Sequence, residues 1–271
     1  MSPGEVRSAL EALGITPSRR LGQSFLVSEE IAERTAAECR RLNVLEIGPG
    51  LGALTGELLA VASRLTAVEI SQKLCDYLSE RICGPRFSLV RGDFLKTDPS
   101  RLPGYPFEAV AGNLPYSISS PALVRLTSAD LGSVRKAVVM LQTEVAVRAM
   151  TLTGGREYGR LALALWPHFT VRKLLDTGPS AFYPQPEVRS RVVVLERRTE
   201  AVVRPEKLDS FSRLVRIGFA SRRKTLLNNL ASLTGRPAAE EFLSRAAIEA
   251  STRAEDLAPE VLAGLAEIVE W

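Results

Sequence analysis

Val44-Leu45-Glu46-Ile47-Gly48-Pro49-Gly50-Leu51-Gly52 is the stretch on which the fold turns. An apolar run interrupted by one acid reads as a buried strand, and it passes without a spacer into a turn with glycine at every second position. Glycine tolerates positive φ and leaves bare backbone for a ligand to lie against. Leu54–Ser63 follows with helical length and spacing, which completes strand, glycine turn and helix. Gly48, Gly50 and Ala53 also satisfy G-x-G-x-x-G/A, so at this point a nicotinamide enzyme is an open alternative.

Outward from that turn, Leu65–Ile70, Phe87–Gly92, Phe107–Ala111 and Lys136–Leu141 are short runs rich in β-branched residues. Ser71–Ile82, Ser119–Ala129 and Gln142–Met150 lie between or after them with helical length. The alternation predicts an α/β fold with a mostly parallel sheet covered on both faces. After a further helix at Arg160–Trp166, the strand-like runs Val171–Thr177 and Arg191–Arg197 enclose the Pro-rich loop Gly178–Ser190. Two strands joined without a helix predict a terminal antiparallel hairpin. Arg198–Lys207 is polar, carries Pro205 and reads as a linker; beyond it Leu208–Phe219, Arg222–Leu233, Ala238–Ala247 and Pro259–Val269 all read as helices. The expected division is a catalytic, cofactor-binding domain over 1–203 and a helical domain over 204–271.

Three strand ends carry chemistry. Glu69 closes the second strand 19 residues past Gly50, where an acid can accept from both hydroxyls of a ribose. Asp93, after the third strand, can accept from an adenine amine with Phe94 beside it. Strand-end acids often serve only as helix caps, but the ligand-binding reading is favoured for both, and both fit either cofactor. Asn113-Leu114-Pro115-Tyr116 closes the fourth strand and separates the alternatives. An exocyclic adenine amine is a poor nucleophile because its lone pair is delocalised into the ring. The Asn113 side-chain oxygen and the Leu114 carbonyl can accept its two N–H bonds and favour a pyramidal nitrogen. Pro115 fixes the backbone, and Tyr116 can stack on a base drawn out of its helix. Hydride transfer has no use for that tetrapeptide, whereas amine methylation uses each part of it.

Composition narrows the partners. Arginine outnumbers lysine 29 to 6, and the formal charge is +4. Residues 237–271 balance to −6, which leaves +10 on residues 1–236 and suggests a polyanionic partner. The run Arg222, Arg223 and Lys224, expected on an amphipathic helix with Arg213 and Arg216 nearby, is the candidate phosphate contact. Cys39, Cys75 and Cys83 form no CxxC pair and His168 is the only histidine, so neither a disulfide framework nor a metal site is expected. His168, amid Trp166, Pro167 and Phe169, reads as a packing residue. No secretory leader or run of roughly 20 apolar residues is present, so a cytoplasmic protein is expected.

With these motifs in view, the chain resembles the small-subunit ribosomal RNA adenine N6,N6-dimethyltransferases. The resemblance runs through Leu21-Gly22-Gln23-Ser24-Phe25-Leu26, Glu46–Gly52, Gly92-Asp93, Asn113–Tyr116, Phe182-Tyr183-Pro184-Gln185-Pro186-Glu187-Val188-Arg189-Ser190 and Arg222–Leu230. It implies a Rossmann-like methyltransferase sheet, S-adenosyl-L-methionine as cofactor, and small-subunit rRNA or a partly assembled small subunit as partner of a monomeric enzyme. It implies that Ser24, Leu26, Gly48, Gly50, Glu69, Asp93 and Asn113 line the cofactor site, with Tyr116 and Phe182 embracing the target base. The family usually has Asn where this chain has Ser24, which keeps a hydroxyl and loses an amide. Two other readings stay open: a large-subunit adenine methyltransferase of the erythromycin-resistance type, and an RNA-binding assembly or transcription factor that does not depend on catalysis.

Overall fold

The computed structural model describes residues 1–17, 23–269 and 271; Leu21 and Gly22 of the first motif lie outside the described residues. Apolar side chains on both faces of successive short runs demand cover on both sides, and the chain supplies it by alternating strands and helices. In order these are α1 (Pro3–Ala12), β1 (Phe25–Leu26), α2 (Glu29–Ala37), β2 (Asn43–Ile47), α3 (Ala53–Val61), β3 (Arg64–Glu69), α4 (Gln72–Arg81) and β4 (Phe87–Arg91). They continue with β5 (Ala109–Asn113), α5 (Ser119–Arg125), β6 (Lys136–Gln142), α6 (Thr143–Met150), α7 (Arg160–Leu165), β7 (Phe169–Thr177), β8 (Phe182–Tyr183) and β9 (Ser190–Arg197). The seven-stranded sheet runs β4-β3-β2-β5-β6-β9-β7. The five strands β4-β3-β2-β5-β6 are parallel to one another, and β9 lies antiparallel to β6 with Met140 opposite Val192. The order reverses at β2, so the carboxyl ends of β2 and β5 flank the crevice where ligands bind in such sheets.

The chain divides into two compact units: Met1–Ala146 with Val171–Arg197, and Val147–Thr170 with Arg198–Trp271. The boundary expected near Val203 is drawn differently for a packing reason. Tyr158, Leu163 and Trp166 share one apolar core with Phe211, Leu214, Leu226 and Leu265, so the loop and helix before β7 belong with the C-terminal helices. Val203, read as linker, is buried in that same core. The second unit is completed by α8 (Leu208–Gly218), α9 (Leu226–Thr234), α10 (Arg236–Arg245) and α11 (Pro259–Ile268).

In the first unit, the sheet's aliphatic side chains pack against α2 and α3 through Val44, Leu65, Ala109, Val138, Ala36 and Leu58. Gly112 sits where β5 crosses β2 most closely: a Cβ there would meet the Ile47 carbonyl at 2.7 Å. The two-residue ladder β1–β8, pairing Phe25 with Tyr183 and Leu26 with Phe182, ties the segment before α2 to the Pro-rich loop. Among the described residues no helix is long and apolar enough to cross a membrane.

Candidate active site

The parallel register brings the strand ends to one edge. Ile47 lies opposite Val68, Glu69 opposite Arg91, and Asn113 opposite Met140. The residues that follow therefore face a common cleft, with a cavity volume of about 280 Å³. Ser24, Leu26, Gly48, Gly50, Glu69 and Asp93 all line it, as does the whole of Asn113–Tyr116.

The glycine turn is left-handed at Gly48, Gly50 and Gly52, with φ of +65°, +59° and +89°, where a side chain would strain the backbone. Gly50 is doubly constrained, because a Cβ would also come within 3.2 Å of the Phe25 ring. At Gly48 the same atom would meet nothing within 4 Å, so the turn presents bare backbone to open space. Glu69, 5% exposed, braces this turn: Oε2 accepts from the Gly50 N–H at 3.2 Å and Oε1 from the Ser71 N–H at 2.9 Å. Burial raises its pKa, and the backbone donors partly offset that. Ile70, next in sequence, is 65% exposed and lines the cleft, an apolar surface suited to a flat ring. The sequence reads it as the end of a strand; its place directly after the candidate acid Glu69 was the available signal.

Asp93 is partly occupied with the local turn. Its Oδ1 accepts from the Leu95 N–H at 3.0 Å and its Oδ2 lies 3.8 Å from Lys96 Nζ, so it both caps the turn and faces the cleft. Glu46, two residues before Gly48, is 1% exposed, and its Oε2 has no hydrogen-bond partner. Burial, with the charge of nearby Glu69, pushes its pKa up to about 8, so it is a neutral acid under ordinary conditions. Its position within a buried strand gave no hint of this from sequence.

Asn113 is held by a contact that sequence could not supply: its Nδ2 donates to the Ser24 carbonyl at 2.9 Å. That bond takes up one of the amide's two N–H donors on the protein and leaves the side-chain oxygen as an acceptor on a residue that lines the cleft. It also changes the meaning of Ser24, since the atom in use belongs to the backbone and is common to Asn and Ser. The Leu114 N–H bonds to the Met140 carbonyl at 3.3 Å, and the Pro115 carbonyl accepts from the Ile118 N–H and from Ser119 Oγ. These bonds hold the turn without calling on the Leu114 carbonyl. The Tyr116 hydroxyl lies 2.9 Å from the Oγ of Ser190, a fully buried side chain at the start of β9, which fixes the ring at the cleft wall. Burial raises the phenol's pKa, so Tyr116 stays neutral.

Two expectations are corrected. Phe182 is 2% exposed and packs in the sheet core with Leu26, Ala181 and Val192, so its ring offers no open face for a base. The pairing with Leu26 turns it inward. Arg222–Lys224, expected within a helix, occupies the turn before α9, whose first residue follows the cap Thr225. Arg222 is engaged inside its own unit: Nε bonds Glu255 at 2.7 Å, and its Nη atoms donate to the carbonyls of Gly155, Arg156 and Tyr158. Arg223 and Lys224 are exposed. Among the described residues no three His, Cys, Asp or Glu side chains gather as a metal site.

The model of the ribosomal RNA adenine dimethylase family matches residues 16–270. The chain is 36% identical to the ribosomal RNA small subunit methyltransferase A of Moorella thermoacetica, over 99% of this chain and 98% of that protein. It is 38% identical to the protein of the same name from Pelotomaculum thermopropionicum, over 98% and 96%. Among solved structures, a dimethyladenosine transferase from Plasmodium falciparum superposes with a TM-score of 0.72 at 26% identity, over 89% of this chain and 95% of that one. The 23S rRNA methyltransferase ErmE superposes with a TM-score of 0.67 at 29% identity, over 90% and 98%.

Proposed function

Because the chain belongs to the ribosomal RNA adenine dimethylase family, we propose that it dimethylates N6 of two neighbouring adenosines in the terminal hairpin of small-subunit ribosomal RNA. It is an S-adenosyl-L-methionine-dependent rRNA adenine methyltransferase. The cleft fits that cofactor: an open glycine cradle, a ribose-binding acid at Glu69, an apolar ring surface at Ile70 and an adenine-facing acid at Asp93 stand in sequence along one edge. When bound, S-adenosyl-L-methionine supplies an electrophilic methyl group on a sulfonium. Everything else is asked of the protein.

The observation that carries the reading is the Asn113–Ser24 bond. It leaves Asn113 Oδ1 as an acceptor, and with the Leu114 carbonyl it provides two acceptors for the two N–H bonds of one amine. Holding both hydrogens pulls the amine toward a pyramidal geometry and frees its lone pair for the methyl carbon. Tyr116, locked by Ser190, offers a rigid face to the extruded base. Once methylated, the amine would carry a surplus proton, which would pass to solvent from between Asn113 Oδ1 and the Leu114 carbonyl. Arg223 and Lys224 are the proposed phosphate contacts of the second unit. We take the substrate to be small-subunit rRNA, free or in a partly assembled particle, and the enzyme to act on it in the cytoplasm as a monomer.

Incubating the protein with labelled cofactor and separate small- and large-subunit RNA, followed by nucleoside mass spectrometry, tests the assignment. N6,N6-dimethyladenosine at two adjacent small-subunit positions is the expected result. Modification of the large-subunit RNA alone would move the enzyme to the class of ErmE, and binding without methylation would leave an assembly factor.

A further inference from the structure

The Pro-rich loop delivers more than the anchor of Tyr116. Ser190, whose Oγ meets the Tyr116 hydroxyl, is preceded by Arg189 and Val188, and both are exposed, Val188 at 43%. The Arg189 carbonyl accepts from the Thr143 N–H at 3.0 Å, and Ser190 pairs with Gln142 at the carboxyl end of β6, one strand from Asn113. The backbone at Arg189 is thus pinned at the carboxyl edge of the sheet while its side chain and that of Val188 are exposed. Arg191, two residues after Arg189, is instead tied to Asp176 at 2.5 Å. Arg189 makes no ion pair or side-chain hydrogen bond among the described residues. A cation with a fixed backbone and an unspent guanidinium, beside the wall on which the base stacks, has the chemistry of a phosphate contact.

Resting on the methyltransferase reading above, we propose that Arg189 binds a backbone phosphate flanking the target adenosine and that Val188 packs against the stack from which the base leaves. Extruding a nucleotide costs unstacking energy and opens a gap beside its neighbours. An apolar side chain next to a phosphate-binding arginine meets both demands, since the wedge supports the gap and the cation holds the displaced backbone. The pair therefore acts on target positioning and leaves cofactor binding alone.

Steady-state methylation of a small-subunit RNA hairpin by wild type, Arg189→Ala, Arg189→Lys, Arg189→Glu and Val188→Ala decides it. The Arg189→Ala enzyme is expected to raise KM for RNA by roughly tenfold, the scale of one lost charge-assisted contact, with kcat nearly unchanged. Its salt dependence should flatten by about 0.7–0.9 log units. Arg189→Lys should recover most of the loss and Arg189→Glu should deepen it, while Val188→Ala should lower kcat/KM without altering the salt slope. Cofactor affinity and thermal midpoint should match wild type in every variant. Unchanged RNA kinetics in Arg189→Ala and Arg189→Glu would overturn the proposal, and so would a parallel fall in cofactor affinity or thermal midpoint, which would make Arg189 a structural residue. Wild type that methylates no RNA would instead remove the functional reading on which the proposal rests.

Discussion

The chemical role proposed for Asn113 rests on a distant backbone atom. With Nδ2 bonded to the Ser24 carbonyl, its acceptor is oriented before any substrate arrives. Asn113→Ala removes the acceptor and should lower single-turnover methyl transfer by about 10²–10³, by analogy with preorganised donors at other charged transition states, while RNA affinity changes little. Retention of more than half the rate would contradict the role. Glu46 makes a second prediction, set by its sign. Its folded pKa of about 8 lies above the roughly 4.3 of an unfolded glutamate, so the native chain holds the proton more tightly. The stabilisation from the neutral acid is complete below about pH 4.3 and is lost as pH rises through about 8. Thermal midpoints should therefore fall across that window, and Glu46→Gln should flatten much of the fall and be the more stable protein at its upper end. A residual slope of the same sign is expected from Glu69, whose pKa burial also raises. An identical pH profile in wild type and Glu46→Gln would show that Glu46 is ionised in the native protein.

At the scale of elements, the strands and their order of chemistry were legible because burial on both faces writes itself as continuous apolar runs, and because Glu69, Asp93 and Asn113 stand directly after them. What escaped was set by long-range pairing. The ladder β1–β8 is only two residues on each side, too short for any period, yet it turns Phe182 into the core. Arg222–Lys224 looked helical because Leu226–Leu230 continues a helical pattern; Thr225, accepting from the Asn228 N–H at 3.3 Å, starts the helix after them. Arg222 is thereby released to clamp the loop at Gly155–Tyr158 onto Glu255. Arg222→Ala should destabilise the helical unit by about 1–3 kcal/mol, toward the lower figure because the guanidinium is partly solvated. Denaturant unfolding measures this, and an unchanged midpoint would mean that water replaces the arginine at no loss. In the first unit, Gly112→Ala should cost about 1–3 kcal/mol or more, because its Cβ would meet a carbonyl oxygen of β2 at 2.7 Å and backbone cannot rotate away.

Across the whole molecule, the residues proposed for the chemistry belong to Met1–Ala146 with Val171–Arg197, whereas the exposed Arg223 and Lys224 belong to Val147–Thr170 with Arg198–Trp271. The charge asymmetry was readable from composition, but which cations are unspent was not, since only side-chain geometry shows that Arg222 is committed and its two successors are exposed. Separation of roles between the units gives a prediction that neither a purely catalytic nor a purely structural part for Arg223 and Lys224 would share. If both touch phosphates, they contribute through counterion release, which adds affinity for any RNA backbone and does nothing to the reacting amine. Changing both to Ala, with Arg222 kept to preserve the fold, should reduce the dependence of log affinity on log salt by about 0.7–0.9 per lost contact. Cofactor affinity should be untouched, and single-turnover transfer at saturating RNA should match wild type. Binding isotherms for the ribosomal substrate across a salt series provide the slope, and circular dichroism confirms the helices. A folded double variant with the wild-type slope would show that this turn is a solvated face, leaving the cations beside the cleft to account for RNA affinity.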